Sequence, residues 1–229
     1  SMLAEDLKPN RLEAAKDVAA EFINGRPNDN IGITLFAGET FTQCPLTVDH
    51  AVLLDMIHNI KCGLITDGTA VGMGIANAVT RLKDSKAKSK VIILLTDGTN
   101  NKGDISPMTA AEIAKSFGIR VYTIGVGTNG MAPYPYPVGN TVQYVSMPVE
   151  IDEKTLTEIA GTTDGNYFRA TSNSKLKEVY EEIDKLEKTK LNVKEYSKRD
   201  EEYHWFALAA FLCVLLEVLL RNSVLKKIP

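Results

Sequence analysis

Five consecutive apolar residues, Val91-Ile92-Ile93-Leu94-Leu95, lie between a lysine-rich turn and the tripeptide Thr96-Asp97-Gly98. A run that is apolar on both faces suits a strand buried on both sides of a parallel sheet, because a strand with one wet face alternates polar and apolar side chains. Residues 121–126 read as a second buried strand, and 109–117 between them has helical spacing. Parallel neighbours need a crossover, and crossovers cover both faces with helices. The chain is therefore expected to fold as an α/β domain, a three-layer, doubly wound arrangement around a mostly parallel sheet. In such sheets ligands bind beyond the carboxyl ends of the strands, which directs attention to Asp97.

The remaining pattern fits that frame. Leu12, Ala15, Val18, Ala19, Phe22 and Ile23 recur at helical spacing behind Pro9 and Asn10. Residues 31–36 and 40–44 read as a strand hairpin, and 50–60 and 71–82 as helices flanking a glycine-rich stretch. Residues 129–148 are so rich in Pro, Tyr and Gly that an irregular loop is expected, with a short hairpin around 142–145. Asp152 is the expected cap of the next helix, 167–170 a last short strand, and Ser174 the cap of a helix carrying Leu176, Val179, Tyr180, Ile183 and Leu186 on one face.

A formal net charge of -3 argues against general attraction to nucleic-acid phosphates. His50, His58 and His204 have no metal-ligand spacing and no nucleophile setting, so they motivate no catalytic assignment. Of Cys44, Cys62 and Cys213, the first two are open to pairing in an oxidising compartment or to standing as free buried thiols.

The segment Val91 to Gly98, preceded by Thr66-Asp67-Gly68-Thr69 and opened by Ser1-Met2, resembles the metal-ion-dependent adhesion site of von Willebrand factor A domains. The resemblance implies a metal-dependent binding module and not an enzyme. It makes Ser1 the final serine of the first loop, Thr69 the second-loop threonine and Asp97 the third-loop aspartate. A hard cation such as Mg2+ (or Mn2+ or Ca2+) takes oxygen ligands and, if Mg2+, keeps several waters, so hydroxyls with few carboxylates leave it electrophilic enough to accept an acidic side chain from a protein partner. The sequence opens where the first-loop motif ends. The expectation is therefore a sheet lacking its first, central strand, an oligomer or rearrangement that compensates for it, and weak metal binding. The run Leu3-Ala-Glu-Asp-Leu-Lys-Pro-Asn-Arg11 and the apolar C-terminal segment resemble the Bat (Bacteroides aerotolerance) proteins, which implies other Bat-family membrane proteins and a MoxR-type AAA ATPase as partners.

Two other motifs compete. Gly125-Val-Gly127-Thr-Asn-Gly130 matches a dinucleotide fingerprint, but the proline-rich residues after it cannot open the helix that would hold the phosphates. The enzyme alternative makes Asp97 a phosphate-accepting nucleophile, yet it lacks the extra carboxylates and placed lysine that phosphotransfer requires.

Residues 206–216 are uninterrupted apolar residues, extended by Val218 to Leu220 and flanked by Tyr203, His204 and Trp205. Spanning a bilayer takes about twenty residues, so the helix must continue to about Leu225. Arg221, Lys226 and Lys227 would then face the cytoplasm, leaving the folded domain on the periplasmic side of a bacterial inner membrane. The expected layout is a domain over 1–187, a linker over 188–202 that is extended around 191–196, and a membrane helix with a basic tail over 203–229.

Overall fold

The computed structural model describes residues 1–139 and 141–196, together with Leu208, Ala210, Phe211, Leu212, Val214, Leu216 and Glu217. The chain divides into two compact units, Ser1–Glu187 and Lys188–Pro229. The first unit begins with α1 (Arg11–Asn24), whose Glu13 N–H is accepted by the Asn10 side chain, followed by β1 (Ile31–Phe36), β2 (Thr40–Thr47), α2 (His50–His58) and α3 (Val71–Leu82). It continues with β3 (Lys90–Thr96), α4 (Pro107–Ser116), β4 (Ile119–Val126), β5 (Met131–Val138), β6 (Thr141–Pro148), α5 (Glu153–Thr162) and β7 (Tyr167–Ala170). Last comes α6 (Asn173–Tyr196), which runs past the Glu187 boundary into the second unit.

The two apolar runs do pair in parallel. Every residue of β3 is in register with β4, from Lys90 opposite Ile119 to Thr96 opposite Gly125, and β7 adds in parallel on the far side of β4. Ile92 and Leu94 point into a core with α3, α4 and α5, while Val91, Ile93 and Leu95 face Leu7, α1 and α6. This is the helix–sheet–helix layering that a strand apolar on both faces requires. β1 and β2 form a separate antiparallel pair, packed through Cys44 on Leu53 and Ile57 of α2 and on Ile23 of α1. Among the described residues no backbone hydrogen bond joins β1 to β3, so the parallel part is the three-stranded sheet β3-β4-β7 and the β1–β2 hairpin stands beside it as a separate two-stranded sheet.

Three expectations need correction. Residues 131–148 are a regular eight-by-eight ribbon of β5 and β6, not an irregular loop with a short hairpin. Pro133, Pro135 and Pro137 recur at the two-residue period of a strand, so all three missing N–H groups fall on one edge and no bond within the ribbon is lost. Residues 191–196 are helical, because α6 continues its turns beyond Glu187. The first turn of α6 is capped from Ser172, whose Oγ accepts the Lys175 N–H, rather than from Ser174.

At the amino ends of β3 and β4, Glu187 is 4% exposed and fixes α6 to the sheet. Its carboxylate accepts from Ser89 Oγ at 2.8 Å, from Tyr122 Oη at 2.6 Å and from Arg120. Burial pushes this carboxyl up, but the three donors more than offset it and hold it below its ordinary value. Cys44 and Cys62 are free thiols, the first buried and the second exposed. No described helix is long and apolar enough to cross a membrane, and most of the expected membrane helix, 203–229, lies outside the described residues.

Candidate functional site

β3 ends at Thr96, so Asp97 is the first residue beyond the sheet's carboxyl edge. It is 7% exposed, and both its carboxylate oxygens are engaged from the N-terminal segment. Oδ1 accepts from Ser1 Oγ at 2.7 Å, and Oδ2 accepts from Arg11 Nη1 at 3.1 Å.

Thr69 reaches the same rim from the loop before α3. That loop is held to the one after β3 by amide side chains that substitute for regular structure. Asn101 Oδ1 accepts the Thr69 N–H at 2.9 Å, Asn100 Oδ1 accepts the Val71 N–H at 2.8 Å, and the Thr69 carbonyl accepts the Asn101 N–H at 3.0 Å. The Thr69 hydroxyl faces the Asp97 loop directly: a Cβ built on Gly98 would stand 3.3 Å from Thr69 Oγ1. On its other side the loop is tied to the β1–β2 turn, with Gly38 N–H on Thr66 C=O and Ala70 N–H on Ala37 C=O, both at 2.7 Å. Of the three residues singled out in the sequence, Ser1 is hydrogen-bonded to Asp97, and the Thr69 hydroxyl lies beside Gly98, the residue that follows Asp97.

Two further residues were not visible in the sequence as part of this site. Arg11, 2% exposed, stands between two carboxylates. It grips Asp6 with Nε at 2.8 Å and Nη2 at 2.7 Å, and Asp97 with Nη1. Asp6 also accepts the Thr128 N–H at 2.7 Å, which brings in the end of β4. Burial raises the Asp6 carboxyl, but Arg11 and the Thr128 N–H outweigh it and leave Asp6 below the ordinary carboxylate range. Gly127, with φ 141°, completes the pocket, since a Cβ there would stand 2.7 Å from Arg11 Nη2. One signal could have pointed to Arg11: a cation at the first position of a helix opposes the helix dipole and needs a reason to be there.

The rim offers two hydroxyls and one carboxylate, while Arg11 screens part of the carboxylate's charge. Among the described residues no three His, Cys, Asp or Glu side chains converge. That donor set suits a hard cation that keeps several waters, and is wrong for a transition metal seeking nitrogen or sulfur. The glycine run 125–130 leads into the extended β5 and not into a helix, so it forms no phosphate cradle of the dinucleotide type.

The von Willebrand factor type A domain model matches residues 1–182. Among solved structures, the chain is 35% identical to the conserved hypothetical protein BatB from Bacteroides thetaiotaomicron, with TM-score 0.71, covering 82% of this chain and 94% of that one. It is 31% identical to an aerotolerance-related membrane protein from Bacteroides fragilis, with TM-score 0.70, covering 81% and 92%. An uncharacterised protein of Borreliella burgdorferi is 27% identical over 220 residues, which is 96% of this chain and 64% of that one. The chain spans less than two thirds of the length of the curated relatives it matches. A fold with helices on both faces of a parallel sheet, a family match over residues 1–182 and likeness over most of the length to Bat structures lead to one conclusion: the chain belongs to the von Willebrand factor type A domain family, in the branch that includes the Bat proteins.

Proposed function

We propose that this chain is a metal-ion-dependent protein-binding module in which Ser1, Thr69 and Asp97 supply oxygens to a divalent cation, Mg2+ being the first choice. The observation that carries the reading is the convergence of Ser1 Oγ, the Thr69 hydroxyl and Asp97 at one rim. A cation there would be held by one carboxylate and two neutral hydroxyls, and would complete its shell with water or with a carboxylate from a partner protein. Arg11 keeps Asp97 oriented and lowers the net negative charge, so the intrinsic affinity for metal is weak. Recognition of an acidic side chain follows from the same arithmetic of charge.

The apolar C-terminal segment anchors the chain in a bacterial inner membrane, with the folded unit on the periplasmic side. Other Bat-type membrane proteins and a MoxR-type ATPase, in a role connected with aerotolerance, are the proposed partners. The description of the Bacteroides fragilis neighbour as an aerotolerance-related membrane protein supports the membrane and aerotolerance parts of this proposal.

The test is a magnesium titration of the full chain followed by thermal unfolding. Binding only the folded state stabilises by about 1.4 kcal/mol at tenfold excess over Kd. The shift should be lost in Thr69→Ala and Asp97→Ala. An equal shift in both variants would remove the site, and no shift in any chain would remove the metal.

A further inference from the structure

β5 and β6 make an antiparallel ribbon whose register runs from Met131 opposite Pro148 to Val138 opposite Thr141. Immediately before it, the Val149 N–H donates to the Gly130 carbonyl at 2.8 Å. That bond fixes the phase of the ladder. Ala132, Tyr134, Tyr136 and Val138 turn their backbone groups toward β6, and the alternate residues turn theirs outward. Pro133, Pro135 and Pro137 are all among the outward set. The outer edge of β5 therefore lacks donors along its middle, and the Pro133 carbonyl is already taken by the Glu5 N–H at 2.9 Å. Such an edge is closed to another strand.

The outer edge of β6 is different. Val142, Tyr144 and Ser146 each direct an N–H and a C=O away from β5, and among the described residues no backbone hydrogen bond reaches them. Every residue of β6 is exposed, with Val142 at 58% and Tyr144 at 59%. No charged residue occurs anywhere in 131–148, so the strand itself lacks the usual lysine or glutamate guard of an open edge, while Glu5 reaches the ribbon from outside it and accepts from Tyr144 Oη at 2.9 Å.

We propose that this edge is an interface with a second copy of the same chain, β6 pairing antiparallel with β6 about a two-fold axis through Tyr144. An isologous contact must be self-complementary, and three outward residues spaced by two satisfy this: Tyr144 faces its own copy and Val142 faces Ser146. Neither strand carries a charge of its own, so no like-charged strand residues are brought opposite each other, and each copy's Glu5 carboxylate is engaged by its own Tyr144 Oη. Because the β5 edge is closed, pairing stops at a four-stranded β5-β6-β6-β5 sheet and does not propagate into a fibre. An interface built on one strand pair is small, in the class of transient contacts below about 1,200 Å².

Disulfide trapping tests the register. In the proposed pairing the Tyr144 Cα atoms are about 5.5 Å apart, within reach of a disulfide. With the exposed Cys62 and with Cys213 replaced by serine, full-length Tyr144→Cys in mild detergent should convert to covalent dimer under gentle oxidation, while Gln143→Cys, which would face Val145, and the chain without an added cysteine should not. Sedimentation of full-length Val142→Lys/Ser146→Lys should show monomer where the unmodified chain is dimer, with circular dichroism unchanged. Equal trapping at 143 and 144 overturns the proposal. So does a dimer that survives the double lysine substitution, which would place association at the β1 and β3 edges or in the apolar C-terminal segment. A strictly monomeric unmodified chain overturns it as well.

Discussion

Arg11 and Asp97, 86 positions apart, share a buried hydrogen bond at 3.1 Å, with Asp6 on the guanidinium's other side. Two carboxylates and one guanidinium leave one net negative charge inside the rim. Removing the cation strands both carboxylates. Arg11→Gln should destabilise the fold by about 3–5 kcal/mol, the usual result of breaking one partner out of a buried pair. Arg11→Lys keeps the charge but loses the two-pronged grip on Asp6, so its loss should be smaller. Urea unfolding of the three chains checks the order.

Asp97 also separates the two chemical readings of the rim. Asp97→Asn keeps the shape of the side chain and removes its charge, so magnesium-dependent stabilisation should fall at least tenfold in apparent affinity, or about 1.4 kcal/mol. Incubation of the unmodified chain with a small phosphodonor should leave its mass unchanged. A phosphate adduct that vanishes in Asp97→Asn would favour the enzyme alternative instead.

Acid should unfold the domain partly through Glu187 and Asp6. Both carboxyls are held below their ordinary values in the folded chain. The sign follows from linkage: the stability they contribute is complete above the unfolded values, near 4.5 and 3.8, and is lost as the pH falls through the lower folded values. Glu187→Gln should therefore lower stability at neutral pH by about 2–4 kcal/mol and flatten the decline below about pH 4.5. Denaturant midpoints measured between pH 3 and 7 would reveal an unchanged slope if the carboxylate were idle.

Gly72 lies where α3 meets the chain leading into α4. A Cβ there would stand 2.0 Å from the Ile105 carbonyl oxygen, a backbone atom that cannot swing aside. Gly72→Ala should cost about 1–3 kcal/mol or more by overpacking, although alanine ordinarily favours a helix. Thermal unfolding compared with Gly161→Ala, which meets nothing within 4 Å, isolates the steric effect.

The strand 90–96 was legible because burial on both faces leaves the unbroken apolar run 91–95, the strand 119–126 from its mostly apolar second half, and Asp97 followed from the rule that places ligands at such strand ends. The β5–β6 ribbon was hidden because proline normally signals a loop. Only the ladder's phase shows that its missing donors all fall on one edge. The helical turns at 191–196 were hidden for another reason: a Lys- and Glu-rich stretch has no apolar stripe to mark it. Ser1 and Thr69 could be named from the motif, but Arg11 could not be assigned to Asp97 without the fold that brings residues 11 and 97 together.

The β1–β2 turn is bonded to the Thr69 loop through Gly38 and Ala37, while the strands themselves share no backbone bond with β3 among the described residues. Thr69 itself is held from the other side, its N–H by the Asn101 side chain and its carbonyl by the Asn101 and Lys102 N–H groups, so residues 66–70 bridge the hairpin to the loop that follows Asp97. A shift of the hairpin would therefore be relayed through that bridge to the rim, coupling the hairpin's position to the spacing of the oxygens around Asp97.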